Sequence, residues 1–218
     1  MMKVKILKII FQDIAIYPRD IPKLRGFFAN KYPEYVNLHN HNGDKFIYKL
    51  PNIQYRNING KAALIGFGDG LNLLKKIFFE VEEIKIGSKI YPCNEKQISL
   101  KEYDFGISKN HIKYKFISPW MALNQENHKK YINSKIFAQK QMLLENILVG
   151  NLLSLSKNFN YTIPDTTKLS CKINNLKPIK VNFKNQKMQC FECNFKVSFH
   201  IPTLLGLGKS VARGFGVV

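Results

Sequence analysis

The first half of the chain alternates between the apolar spacing of strands and that of helices. Residues 4–11 are apolar and rich in β-branched side chains, which predicts a strand. Asp20 can cap a helix that has Pro22 in its first turn, and Pro33 predicts where that helix ends. An apolar stripe predicts the buried face of this helix, formed by Leu24, Phe27 and Phe28.

Beyond this helix the pattern predicts two strands, a second helix and a further strand. Apolar and basic residues alternate over residues 46–50, and the pair Asn59-Gly60 is a hairpin turn signal before the apolar stretch 62–67. A helix follows from Asp69-Gly70, and residues 81–90 predict another strand. The resulting order, β-α-β-β-α-β, is that of a ferredoxin-like unit.

The second half predicts a similar unit with insertions. Residues 98–117 are strand-like, and a 3.6-residue apolar period from about Asn124 to Leu155 predicts one long helix. Strict alternation then predicts strands at 179–184 and 191–201. We therefore predict an α+β fold of two ferredoxin-like (RRM-like) βαββαβ domains in tandem, followed by a C-terminal glycine-rich loop. The expected domains are 1–95 and 96–218.

Composition excludes several classes of protein. The chain has 218 residues, and 45% of them are hydrophobic, which is enough for a packed core and excludes disorder. No apolar run approaches the roughly 18–20 residues of a membrane span. Four cysteines do not make a disulfide framework in a chain of this size. We expect a soluble cytoplasmic protein without a membrane partner.

The positive charge of the chain favours a polyanionic partner. The formal net charge is +19, and residues 111–218 contain sixteen bases against four acids. Seven lysines and a single acid, Glu192, fall between Lys168 and Lys196. Such a surface attracts polyanions. Nucleic acid is the favoured partner, and an acidic membrane surface, an acidic protein or a merely solvated surface are the alternatives.

Glycines and cations are concentrated at the C-terminus. Glycine permits positive φ and close backbone approach, and successive N–H groups can form an anion-binding nest. The alternative is a tight C-terminal turn. Lys196 and His200 lead into this segment on a predicted strand, and we expect both to contact phosphate. The loop residues expected to bind are Gly206, Gly208, Lys209, Ser210, Arg213, Gly214 and Gly216.

Two histidines provide candidate acid–base chemistry. His39 and His41 lie in a segment rich in Asn and Gly after the first predicted helix. Histidine titrates near neutrality, and residues two apart share a face in an extended chain. The alternative is a pair of solvated loop histidines.

A metal site has weaker support in the sequence. Cys190 and Cys193 are one pair, which Cys171 and His200 could complete as a zinc site. Positions three apart point to opposite faces of a strand, so ordinary buried cysteines are favoured. We expect neither a metal nor a cofactor. Trp120, after Pro119, is expected to be a packing anchor.

Two segments resemble a known family. Gly206-x-Gly208, followed by Arg213-Gly-Phe-Gly216, resembles the glycine-rich loop of the CRISPR-associated repeat-RNA-processing endoribonucleases, which belong to the superfamily of repeat-associated RNA-binding proteins. The segment Leu38-His39-Asn40-His41 looks like the archaeal-type branch, in which paired histidines serve the cleavage site. The resemblance implies two ferredoxin-like domains, which agrees with the order of elements.

The resemblance also implies an activity. It implies metal-independent cleavage of precursor CRISPR RNA within its repeats, by attack of the RNA's 2′-hydroxyl, to give mature guide RNAs. The products would carry 2′,3′-cyclic phosphate and 5′-hydroxyl ends. We expect His39 and His41 to be the acid–base pair, and Tyr48 and Lys49 to orient or neutralise the phosphate. The glycine-rich loop would hold RNA backbone.

The implied partners are CRISPR repeat RNA and other CRISPR effector subunits, with the chain as a monomer or homodimer. Two alternatives stay open. The chain could be a non-catalytic RNA-binding subunit of an effector complex. It could also be a general ferredoxin-like RNA-binding protein, since Arg213-Gly-Phe-Gly partly matches an RRM motif.

Overall fold

Helices and antiparallel strands alternate along the chain, as the apolar pattern predicts. The computed structural model describes residues 1–35 and 50–218, and between them the backbone at 41–42 and 45–46. Within those residues, no helix combines the length and the apolar character needed to cross a membrane.

The chain forms two compact units. The first contains residues 3–103 and, from the far end of the chain, residues 211–214. The second contains the remaining segments, 1–2, 104–210 and 215–218. The C-terminal segment therefore contributes residues to both units.

The first unit has the strand order of a ferredoxin-like domain. Its four long strands follow one another as β4-β5-β1-β8, so the second, third, first and fourth strands of the unit are neighbours. The short pairs β2–β3 and β6–β7 form two separate hairpins. The elements are β1 (Met2–Ala15), α1 (Ile21–Lys31), β2 (His41–Asn42), β3 (Lys45–Phe46), β4 (Ile53–Ile58), β5 (Lys61–Gly66), α2 (Gly70–Glu80), β6 (Glu83–Ile86), β7 (Lys89–Pro92) and β8 (Lys96–Lys115).

Local sequence signals explain where these elements begin and turn. Helix α1 begins after Asp20 and has Pro22 in its first turn, as predicted. The expected cap is not formed, because the Asp20 side chain accepts a hydrogen bond from Lys23 Nζ at 2.8 Å and none from the helix backbone. The β4–β5 hairpin turns at Asn59 and Gly60, whose φ angles of 51° and 81° are both left-handed. The two helices and the strands bury one apolar core, which includes Leu7, Ile9, Phe11, Leu24, Phe28, Tyr55, Leu64, Leu74 and Ile77.

Two predicted strands of the first unit lie elsewhere. The stretch 81–90 is not one strand, because Gly87, with a φ of +66°, turns the chain into the β6–β7 hairpin. The fourth strand is instead β8. The second strand is β4 rather than residues 46–50, of which 47–49 lie outside the described residues.

The second unit contains the end of β8, from Asp104, together with β9 and β10. These are its first, second and third strands, and they are arranged like the first three strands of a ferredoxin-like domain. Strand β10 lies between β8 and β9. The packing prediction for Trp120 is confirmed, because its ring is buried and stacks on Phe116 at a centroid distance of 5.0 Å. The other elements are α3 (Gln125–Asn133), α4 (Phe137–Asn158), β9 (Cys171–Phe183) and β10 (Gln186–His200).

The single long helix predicted from Asn124 is wrong, because the chain breaks it between α3 and α4. Ser134 is extended, with a ψ of 128°, and its hydroxyl is 2.9 Å from Gln139 Oε1. Ile132 and Ile136 beside the break are more than half exposed, so they do not join the buried stripe. Without that burial, little opposes the local turn that a serine hydroxyl favours.

Candidate nucleic-acid interface

The predicted catalytic segment falls mostly outside the described structure. His39, Tyr48 and Lys49 are not among the described residues. The backbone of His41 begins β2 and pairs with that of Phe46. The assignment of these four side chains to catalysis therefore stays a prediction.

A fixed cation lies where the chain leaves α1 for this segment. Lys76 of α2 donates a hydrogen bond from Nζ to Tyr35 Oη at 2.9 Å, and Nζ also lies 5.0 Å from the centroid of that ring. The hydrogen bond to Tyr35 is the main reason that the pKa of Lys76 is raised. The hydrogen bond therefore places the ammonium group of Lys76 beside Tyr35, the residue that directly precedes segment 36–49.

The glycine-rich loop closes on its own backbone in the second unit. Leu207 N–H donates to Gly216 C=O at 2.8 Å, and Gly216 N–H donates to Pro119 C=O at 2.9 Å. Lys209 N–H donates to Met121 C=O, also at 2.9 Å. These three N–H groups bind carbonyls of the protein, so they do not contribute to an anion-binding nest. The side chain of Lys209 is exposed.

Close packing explains two of the loop glycines. Gly208 has a φ of +92°, and a Cβ there would lie 2.7 Å from Trp120 Nε1 and 2.9 Å from Met121 O. Gly216 has a φ of +62°, and a Cβ there would overlap Leu207 O. Neither position accepts a larger residue without movement of the backbone. Ser210, between them, is half-buried in a left-handed conformation with a φ of +57°.

A buried arginine fixes the part of the loop that belongs to the first unit. Arg56 of β4 is 1% exposed. Its Nη1 donates to Tyr55 O at 2.9 Å and to Val211 O at 2.7 Å, and its Nη2 donates to Gln54 Oε1. Burial lowers the pKa of Arg56 to about 9. The guanidinium therefore ties the 3₁₀ turn Val211–Arg213 to β4.

The same turn also contacts α1. Gly214 packs so tightly on Ile21 of this helix that a Cβ on the glycine would lie 2.5 Å from Ile21 Cδ1. Strand β4 and helix α1 therefore both determine where the turn Val211–Arg213 lies.

Two further arginines belong to this region: Arg213 ends the turn, and Arg25 lies on helix α1, which contacts the turn. Arg213 and Arg25 of α1 are half-buried, and burial lowers the pKa of each. The charge of Arg25 lowers the pKa of Arg213 further, so the two groups repel each other. Neither α1, β4 nor residues 206–218 contain an acidic residue. Paired guanidinium forks match the geometry of a phosphate.

Sequence reasoning missed Arg25 and Arg56. A single arginine on a helix or strand usually lies on a solvent-exposed face. The sequence around Arg25 and around Arg56 gives no sign that either side chain is buried. The rarity of arginine could have indicated these two positions, because only four of the 34 basic residues in the chain are arginines. All four lie in the first unit.

The other predicted RNA contacts lie on the second unit's sheet. Lys196 is exposed on β10. His200 is half-buried at the end of that strand, opposite Gly106 of β8. The loop residue Gly206 is buried, and its backbone forms a bridge to Val217.

Three of the four cysteines, Cys93, Cys190 and Cys193, are buried free thiols, and Cys171 is half-buried. Cys190 and Cys193 are at most 5% exposed, which confirms the prediction of ordinary buried cysteines for this pair. Burial raises the pKa of Cys190 to about 11 and those of Cys193 and Cys171 to about 12. Among the residues described, no three His, Cys, Asp or Glu side chains are grouped to hold a metal ion.

The two units and the order of their strands define a tandem ferredoxin-like protein. Comparison with known proteins gives its family. The Cas6b N-terminal domain matches residues 2–104, and the Cas6b C-terminal domain matches residues 106–218. The chain therefore belongs to the Cas6b family, which confirms the family suggested by the loop and histidine motifs.

Similar proteins support this membership. A crystal structure of Cas6b has a TM-score of 0.93 and 39% identity, covering 99% of this chain and 98% of that one. A crystal structure of a CRISPR RNA processing endoribonuclease Cas6b has a TM-score of 0.78 and 38% identity over the same shares. An uncharacterized protein of Methanocaldococcus jannaschii is 38% identical over 143 residues, which are 66% of this chain and 95% of that protein.

Proposed function

We propose that the protein is an endoribonuclease that cuts precursor CRISPR RNA within its repeats to produce mature guide RNAs. The match of both halves of the chain to the Cas6b domains carries this proposal. A CRISPR RNA processing endoribonuclease of 38% identity aligns with 99% of the chain, which supports the same activity.

The proposed chemistry is internal transesterification without a metal. One histidine of the pair His39 and His41 takes the proton of the RNA 2′-hydroxyl as its oxygen attacks the adjacent phosphorus. The bond from phosphorus to the 5′-oxygen breaks, and the other histidine gives that oxygen a proton. Tyr48 and Lys49 orient the phosphate and offset the extra negative charge of the transition state. The products are a 2′,3′-cyclic phosphate and a 5′-hydroxyl.

The glycine-rich loop is proposed to hold the RNA backbone. Lys209, Ser210 and Arg213 supply the contacts, and Gly206, Gly208, Gly214 and Gly216 set the path of the loop. The half-buried Arg25 supports this role, because its positive charge acts on Arg213 and so adds to the positive potential at the loop. Lys196 and His200 extend the contacts along β10.

The proposed partners follow from this activity. Repeat RNA is the substrate, the subunits of a CRISPR effector complex receive the product, and the enzyme acts in the cytoplasm as a monomer or homodimer. Size-exclusion chromatography with light scattering, run with and without a repeat RNA, measures the oligomeric state directly.

Cleavage of modified repeat RNA tests the proposal. Wild-type protein in EDTA should cut a repeat RNA once, and 2′-deoxy at the scissile nucleotide should abolish the cut because the attacking oxygen is missing. Cleavage that appears only after magnesium is added would overturn the metal-free mechanism. Normal cutting of the 2′-deoxy RNA would overturn the internal attack.

The same assay separates the proposal from its alternatives. Tight binding of repeat RNA without any cleavage would indicate a non-catalytic subunit of an effector complex. Equal affinity for unrelated RNAs of the same length, without cleavage, would indicate a general RNA-binding protein.

A further inference from the structure

Three lysines lie side by side across the second unit's sheet. Lys196 of the central strand β10 is paired with Lys113 of β8 on one side and with Lys172 of β9 on the other. All three are exposed. Adjacent strands are about 4.8 Å apart, so this lysine row spans roughly 10 Å. Like charges directly opposite on neighbouring strands destabilise a sheet, so the row has a cost that folding alone does not explain.

The next row on the same face is polar and neutral at two of its three positions. It consists of Lys115, Asn194 and Asn174, two residues along each strand from the lysine row. Two residues of a strand advance by about 7 Å, so the two rows form one continuous surface.

A pocket opens next to this second row. It has a volume of about 570 Å³, and its lining includes Lys115, Asn175, Lys177, Glu192 and Asn194. The pairing of β9 and β10 shifts between Glu192 and Asn194, as at a β-bulge, and Asn175 has a left-handed φ of 51°. The lining of the pocket therefore includes two asparagines, Asn175 and Asn194, and two lysines, Lys115 and Lys177.

Acidic groups only partly balance the surface. Among the described residues, Glu145 Oε1 lies 3.7 Å from Lys172 Nζ, and Glu192 Oε2 lies 3.5 Å from Lys177 Nζ. Glu145 also accepts hydrogen bonds from Ile173 N–H at 2.9 Å and from Gln141 Nε2 at 3.0 Å. Five lysines thus face two glutamates, and positive charge dominates the face.

We infer that this face of the second unit is a binding surface for single-stranded RNA. The lysine row binds consecutive phosphates, and the pocket receives one unpaired base, whose edge hydrogen-bonds to the amides of Asn175 and Asn194. Amides offer both a donor and an acceptor, as base edges require, and lysines bind phosphate without reading sequence. This inference rests on the proposed function, since it assigns the surface to the repeat RNA.

Salt dependence of RNA binding tests the lysine row. The probe is a repeat RNA with 2′-deoxy at the scissile nucleotide, and its dissociation constant is measured by fluorescence anisotropy over a range of salt concentrations. Each lost phosphate contact lowers the slope of log K against log salt by about 0.7 for single strands, so K113Q/K172Q/K196Q should lower it by about 2.

A matched variant controls for net charge. K85Q/K89Q/K101Q removes three exposed lysines of the first unit and should leave the slope within about 0.5 of wild type. Equal slope changes in the two variants, or no change in the lysine-row variant, would overturn the inference while leaving cleavage intact. Wild-type protein that neither binds nor cuts repeat RNA would instead overturn the proposed function.

The nature of the ligand is tested by competition. Poly(U) and polyglutamate are compared at equal concentrations of negatively charged groups, phosphates in one and carboxylates in the other. Poly(U) should displace the labelled RNA from wild-type protein at the lower concentration. Equal displacement by polyglutamate would assign the surface to an acidic protein and overturn the inference. Thermal unfolding checks the variants. Loss of like-charge repulsion offsets loss of the Lys172–Glu145 ion pair, so the lysine-row variant should melt at about the same temperature as wild type.

Abasic substitution tests the pocket. In wild-type protein, an abasic site at the bound position of the single-stranded repeat should weaken binding by about tenfold, as expected for a lost base contact. In N175G/N194A the same substitution should have no further effect, and glycine keeps the left-handed backbone of position 175. An abasic scan that shows the same losses in wild type and variant would overturn the base-binding role.

Discussion

The two units carry positive charge in different ways. The first unit contains all four arginines of the chain, and three of them lie in or beside the turn Val211–Arg213. The second unit contains only lysines as its strong bases, and its sheet displays them on an exposed face. A guanidinium keeps its charge and its five donors when it is buried, whereas an ammonium is a hydrated point charge. The basic residues behind the net charge of +19 therefore have two roles: buried arginines position the loop, and exposed lysines attract a polyanion.

The strongest test of this difference is the loss of Arg56. Arg56→Met should lower the free energy of unfolding by about 3 kcal/mol, because three buried acceptors lose their donor. RNA affinity should fall as well, since the turn that carries Arg213 loses its tie to β4. Chemical denaturation and anisotropy measure the two effects.

Arg19→Met is the matched control for Arg56. The side chain of Arg19 is 83% exposed, and its Nε lies 3.9 Å from Asp20 Oδ2. We expect no measurable change in stability or RNA affinity. Equal losses in the two variants would show that Arg56 acts only through its charge.

The second test asks whether Arg213 acts as a fork or as a point charge. Arg213→Lys keeps the charge but loses bidentate geometry, so RNA affinity should fall by about tenfold with no change in the salt slope. Lys196→Arg on the second unit should change affinity less than twofold. If Arg213→Lys binds like wild type, the paired guanidiniums have no special role.

A smaller effect is expected at alkaline pH from the interior of the first unit. Tyr55 is fully buried, and burial raises its pKa. Above the unfolded-state pKa of about 10, Tyr55 loses its proton in the unfolded chain but keeps it in the folded protein. The free energy of unfolding therefore falls as the pH rises above 10. Above about pH 10, the loss attributable to one such group is about 1.4 kcal/mol per pH unit.

Tyr55→Phe isolates this contribution. The variant should lose stability less steeply above pH 10 than wild type does, whereas Tyr17→Phe, at a tyrosine that is 68% exposed, should follow wild type. Parallel curves for wild type and Tyr55→Phe, from denaturation at several pH values, would contradict the role of burial.

Local signals in the sequence predicted most of the fold. The pair Asn59-Gly60 turns the β4–β5 hairpin, and alternation over 191–201 places Phe191, Phe195 and Phe199 inside. The errors have local causes too. Residues 81–90 form a hairpin and not the predicted single strand, because the chain turns at Gly87. The apolar residues beside Ser134 fit a helical spacing but are exposed, so they do not hold α3 and α4 together as one helix.

The arrangement around the loop depends on distant contacts that no local pattern contains. Arg56 donates to the carbonyl of Val211, which is 155 residues away in the sequence. Gly208 is required because the ring of Trp120 lies against it. The glycines of the loop were visible in the sequence, but their packing partners were not.

The ends of the cleaved RNA test the central claim most directly. Wild-type protein and the variants His39→Ala and His41→Ala are each incubated with repeat RNA in EDTA under single-turnover conditions, and the product ends are identified by mass spectrometry. Wild type should give 2′,3′-cyclic phosphate and 5′-hydroxyl ends. Each variant should cut at least about 100-fold more slowly with nearly unchanged RNA affinity. Products with 5′-phosphate ends, or wild-type rates in the double variant, would contradict the account.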